Sequence, residues 1–173
     1  MSILNLTICK WVIQFRRKNI GGPIMANVFD VAQYILNKQG PMTTMKLQKL
    51  VYYCQAWSLV WDGKPLFTEE IQAWASGPVV RELYDLHRGI FTISGVPKGD
   101  VGSLGDEEIA TIDAVLGAYG DKPAQWLADL THMEEPWNKA REEIELGDNC
   151  ENEITLASME EYYSSLLPDG EPV

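Results

Sequence analysis

Between Met45 and Trp61 the chain reads MKLQKLVYYCQAWSLVW, and whatever fold it adopts must cover that segment on more than one side. Leu47, Leu50, Val51, Cys54, Trp57, Ser58 and Trp61 recur at the three-and-four spacing that lines up one face of an α-helix, and Ser58 is the one polar member. Tyr52, Tyr53, Leu59 and Val60 extend the apolar surface to either side. The segment therefore reads as a central helix with packed neighbours over more than half its circumference. On that reading Leu50→Ala costs about 2–5 kcal/mol, the range for a buried leucine.

A chain of 173 residues, 46% of them hydrophobic, can supply those neighbours from one core. The remaining segments carry helical or turn signals in order. Asn27 is a good N-cap for Val28, Val31, Ala32, Ile35 and Leu36, a pattern that stops at Gly40-Pro41. Thr43 or Thr44 caps the central helix, which ends at Asp62-Gly63. LFTEEIQAWA, residues 66–75, reads as two short strands, after which Pro78 opens a helix through Val79, Leu83, Tyr84 and Leu86 that stops at Gly89. Residues 91–105 read as a surface loop with a little strand. Ser103 and Asp106 resemble a capping box ahead of Ile109, Ile112, Leu116 and Tyr119. Pro123 and Pro136 open two further helices, the second running to Gly147, and a last helix carries Leu156, Met159, Tyr163 and Leu166. The fold class expected is mainly α: a single compact helical domain with a short β-hairpin, over residues 25–167, followed by a polar tail at 168–173.

The first 24 residues hold four of the 14 basic residues and none of the 25 acidic ones. Their apolar run precedes the Arg16-Arg17-Lys18 cluster and is too short to span a bilayer, which is not the order of an export signal. The expectation is that Met25 is the start and that 1–24 is a leader of no native role; a basic arm that binds a membrane or partner is the alternative. A net charge of −11 is unsuited to neutralising phosphates, so neither nucleic acid nor membrane is the expected partner. Cys9, Cys54 and Cys150 are odd in number and widely spaced, which fits a reducing cytoplasm and a core thiol at Cys54.

No phosphate loop, nucleophile elbow, CxxC or HExxH is present. His87 and His132 are the two histidines, and His132, Cys54 and Cys150 lack the spacing of a metal site, so no metal or cofactor is expected. Glu134 and Glu135 are adjacent and cannot face each other on a helix; they suit the start of the Pro136 helix, where the dipole favours negative charge. Lys46 and Lys49 lie three apart on one side of the central helix, as a solvated edge or a polar contact to a partner. Trp74 and Trp137 suit the core, although six tryptophans leave room for one or two at an interface.

Three blocks carry a resemblance. Met45-Lys46-Leu47-Gln48-Lys49-Leu50 with Tyr52 and Gln55, Pro65-Leu66-Phe67 through Trp74, Gly77-Pro78-Val79 and Tyr84, and Thr131-His132 through Glu134, Pro136-Trp137 and Ala140 resemble the Panacea domain family of SocA-like antitoxins and phage-associated GepA proteins. The resemblance covers Asn27 to about Tyr163. It implies a helical domain that neutralises a toxin encoded beside it in a prophage or mobile element, by direct binding or as an adaptor to a host protease, without catalysis or cofactor. Polar and aromatic members of the matched blocks, Lys46, Lys49, Tyr52, Trp74, Tyr84, His132, Glu134 and Trp137, are then the expected contacts to the toxin. A phage accessory protein that binds a host factor, or an enzyme with a site near His132, are the alternatives.

Overall fold

The computed structural model describes residues 26–145 and 147–168. The leader, the start at Met25 and most of the tail lie outside the described residues. Helix α1 spans Val28–Gln39 and strand β1 Met42–Thr43, leading into the central helix α2, Thr44–Trp61. The hairpin β2, Ile71–Trp74, and β3, Gly77–Val80, runs directly into α3, Arg81–His87. Strand β4, Thr92–Ile93, pairs antiparallel with β1, and a short 3-10 turn at Val101–Ser103 precedes α4, Asp106–Tyr119. Helices α5, Ala124–Met133, α6, Glu135–Ala140, and α7, Leu156–Ser165, complete the described chain. It is mainly α, with two small antiparallel ribbons. No helix among the described residues is long and apolar enough to cross a membrane.

Helix α2 is enclosed more completely than its sequence stripe requires. Every residue from Leu47 to Trp61 is buried, with α1, α4, α5, α7 and β3 packed around it. The end signals act as read at two positions: Asn27 Oδ1 accepts from the N–H groups of Phe29 and Asp30, and Thr43 Oγ1 accepts from Lys46 N. Cys54 is a fully buried thiol whose pKa is pushed up chiefly by desolvation.

Three local expectations are corrected. Pro78 lies inside β3, opposite Ala73, and the helix that follows starts at Arg81. The strand tolerates it because the Pro78 position faces away from the β2 ladder, where no N–H is needed. Helix α4 begins at Asp106, after Gly105 rather than Ser103; Glu108 Oε2 takes the Gly105 N–H at 3.0 Å, and three carboxylates occupy the first turn. Helix α6 ends at Ala140, short of Gly147. Glu142 and Glu143 would place negative charge at a C-terminus where the dipole disfavours it, and the Arg141 side chain turns back to hold the Glu145 and Asp148 carbonyls.

Candidate functional site

The polar residues of α2 explain where the hairpin sits. Gln48, Gln55 and Ser58 share one side of an otherwise apolar helix, and all three are buried against backbone. Gln55 Oε1 accepts from Leu66 N at 2.8 Å and its amide donates to Phe67 O at 2.8 Å, while Ser58 Oγ donates to Lys64 O. Gln48 brackets Val80, accepting from its N–H at 2.8 Å and donating to its carbonyl at 3.3 Å. The same amide reaches His87 Nε2 at 3.0 Å, so that ring nitrogen accepts and Nδ1 carries the proton. Burial lowers the His87 pKa in keeping with the neutral form.

Lys49 completes this edge and is neither solvated nor at a surface. It is 1% exposed and donates from Nζ to Pro78 O at 2.9 Å. Desolvation lowers its pKa to about 7. Gly77, at φ +100°, makes room for it: a Cβ there would lie 2.6 Å from Lys49 Cε and 2.9 Å from Thr131 Oγ1. The other side of the hairpin is held as firmly. Ala73 N–H donates to Asn152 O and Ile154 N–H to Ile71 O, so residues 152–154 cover the β2 edge. Arg141 Nη1 donates to Ala73 O at 2.7 Å and Trp137 Nε1 to Trp74 O at 3.0 Å. Every outward-facing group of this small ribbon named here has a side-chain or backbone partner, which is how an edge is protected from unwanted pairing.

What the supports present is the outer face of the hairpin. Ile71 and Ala73 point inward, whereas Gln72 and Trp74 point outward and are half-buried. Trp74 meets the Tyr84 ring edge-on at 4.6 Å, Gln72 accepts its indole N–H at 2.8 Å, and the Arg81 guanidinium lies 5.7 Å from its centroid. Asp85 and Glu151 hold Arg81 at 3.3 and 3.2 Å. Glu70 accepts from Gln72, and Glu153 bridges to Gln72 at the backbone, so the aromatic pair is rimmed by acid.

The eight expected contact residues thus fall into three groups. Trp74 and Tyr84 form the half-buried aromatic pair. Lys49 and Trp137 prop the hairpin from behind, and His132 lies on Trp137 with ring centroids 4.3 Å apart. The His132 Nε2 is buried without a hydrogen-bond partner among the described residues, and its pKa is lowered first by desolvation and then by Lys49. Tyr52 and Glu134 make their hydrogen bonds within the core, both with Tyr163. Lys46 Nζ donates to Gly120 O at 2.7 Å, tying α2 to the end of α4.

Glu134 does not cap α6 toward solvent, as its position beside Pro136 suggests. It is 5% exposed, and Tyr53 and Tyr163 both donate to its Oε2, at 3.2 and 2.7 Å. Desolvation raises its pKa to about 8 against the effect of those two donors. Tyr52 is fully buried and meets the Tyr163 hydroxyl at 3.4 Å. Reading the sequence alone misses Gln48, Arg81 and Arg141 as builders of the site; the recurrence of polar residues on one side of an apolar helix is the signal that marks Gln48.

No group of three or more His, Cys, Asp or Glu among the described residues is placed to hold a metal ion. Residues 47–138, just over half of the chain, match the model of a family described as "Antitoxin SocA-like, Panacea domain". The match takes in α2, the hairpin, α3, α4, α5 and the start of α6. No curated protein and no solved structure matches the chain.

Proposed function

This chain belongs to the SocA-like, Panacea-domain antitoxin family, and from that premise we propose that it neutralises a toxin protein by binding it directly, through the outer face of the β2–β3 hairpin. One observation carries the reading. Trp74, Tyr84 and Arg81, residue types that dominate binding energy at protein interfaces, are gathered half-exposed where α3 meets a ribbon whose other groups are fixed from α2, α6 and residues 152–154. A rigid aromatic pair loses little conformational entropy on docking. Of the remaining expected contacts, we assign Lys49, His132 and Trp137 to holding that face in place, and Lys46, Tyr52 and Glu134 to the fold behind it.

Two ionisable groups with pKa values strongly moved by burial support a binding module rather than a reaction site. Lys49 and Glu134 are both buried, and their partners are a backbone carbonyl and two tyrosine hydroxyls. Each is satisfied by such partners within the core, as a structural group is. The proposed setting is the cytoplasm of a cell whose prophage or mobile element encodes the toxin in the neighbouring reading frame.

Co-expression of that reading frame with and without this chain, scored by growth, tests the proposal. Growth arrest relieved by this chain, in cells with and without their energy-dependent proteases, is the expected result. Relief that vanishes with the proteases would instead assign an adaptor role, and arrest that is never relieved would remove the antitoxin reading.

A further inference from the structure

Charge is distributed unevenly around the hairpin. Arg141 is buried and directed to the carbonyls of Ala73, Glu145 and Asp148, so it offers nothing to the surface. Glu151 and Glu153 are exposed at the segment that borders β2, and Glu142, Glu143, Glu145 and Asp148 are exposed between α6 and that segment. Of these six, Glu151 has an ion-pair partner among the described residues, Arg81. Elsewhere Lys38 pairs with Asp113, Lys64 with Glu107 and Glu108, and Lys122 with Asp121. Asp85, Glu151, Glu70 and Glu153, all exposed, thus gather acid around the aromatic pair through their contacts with Arg81 and Gln72. That pair already shows what it accepts, because a guanidinium sits within cation–π reach of Trp74 while two carboxylates grip it.

We propose that the toxin surface recognised by the Trp74–Tyr84 face is a basic segment, whose arginine or lysine side chains lie over these rings and against the acidic border formed by Glu70, Asp85, Glu151 and Glu153, with Arg81 holding the place of such a cation in the free protein. The inference rests on the antitoxin reading for the identity of the partner but not for the chemistry of the face. An acidic border raises the association rate of a cationic partner and makes that rate sensitive to salt, whereas the rings slow its departure. A neutral or acidic partner would gain from neither.

Two probes test it. The first is a short peptide of alternating Arg and Gly, titrated into the isotopically labelled full chain, with a Ser-Gly peptide as control. The expected result is saturable, salt-sensitive binding of the Arg peptide alone that moves the Trp74 indole N–H resonance and is lost in Trp74→Ala. The second is the purified product of the adjacent reading frame. Neutralising Glu151 and Glu153 together to Gln is expected to slow its association by about tenfold at low salt and leave dissociation nearly unchanged, with Trp74→Ala raising dissociation instead. Unchanged melting of both variants shows that the fold is retained. Binding of the Arg peptide elsewhere on the chain, or no saturable binding, overturns the proposal whatever the partner is. Relief of growth arrest by the wild type, together with toxin kinetics indifferent to all three substitutions, overturns it while leaving the antitoxin reading intact.

Discussion

The molecule contains two aromatic clusters built from the same residue types and set in opposite surroundings. The inner one surrounds Glu134: Tyr53 stacks on Tyr119 at 4.3 Å, Tyr163 meets Tyr52, Tyr53 and Trp57 edge-on, and Trp57 Nε1 donates to the Tyr119 hydroxyl. The outer one is Trp74 and Tyr84 with Arg81. In the inner cluster every ring is buried and the polar handles close on one another and on a buried acid. In the outer cluster the charged partners are themselves in solvent, so an incoming group can replace them at little cost. The same side chains are architecture when their polar atoms are matched inside, and on the proposed reading they are contact surface when matched at the rim.

The largest effect separates the clusters by stability. Trp57→Ala removes a fully buried ring and is expected to cost about 3–5 kcal/mol in denaturant unfolding, against about 1 kcal/mol or less for Trp74→Ala. Similar losses at the two positions would erase the distinction.

Next in size is the response to pH. The Glu134 pKa is raised by burial to about 8 in the fold from an ordinary value of 4.5, so its contribution is full below 4.5 and is lost as pH rises through 8. Glu134→Gln should therefore abolish a fall in stability across that window, a change in slope of up to about 1.4 kcal/mol per pH unit. Lys49 acts in the opposite sense. Its pKa is lowered by burial from 10.5 to about 7, so its contribution is full above 10.5 and is lost as pH falls through 7. Lys49→Met should flatten the rise in stability above pH 7 and leave the acid side unchanged. Unfolding midpoints measured across pH for the three proteins check both, and parallel curves would mean that neither group is buried as described.

Smaller again is Gly77→Ala. The substitution meets both a positive φ and the Lys49 side chain, and should destabilise by more than about 1 kcal/mol. A neutral result would show that the hairpin is not held against α2 by that close approach.

How much of this was legible from the sequence follows the range of each interaction. The central helix, the Asn27 and Thr43 caps and the presence of a hairpin rest on neighbours a few residues apart, and the chain states them directly. Lys49 misleads because its spacing from Lys46 looks like a wet edge, and what buries it is a glycine and a carbonyl 29 residues away in a strand that also hides a proline. Glu134 misleads more deeply. Its partners lie 81 residues back and 29 residues ahead, and nothing local distinguishes an inward carboxylate from one that decorates a helix start. That Trp74 and Tyr84 form a pair is not legible, since pairing them needs the turn at residues 75–76 and the register Ile71 to Val80.

The most direct test is the Trp74→Ala, Tyr84→Ala double variant, assayed in parallel for thermal unfolding and for relief of growth arrest by the adjacent toxin gene. Melting close to that of the wild type with relief abolished is the predicted result. Relief at wild-type level by a folded double variant would show that the toxin is held somewhere other than the hairpin face.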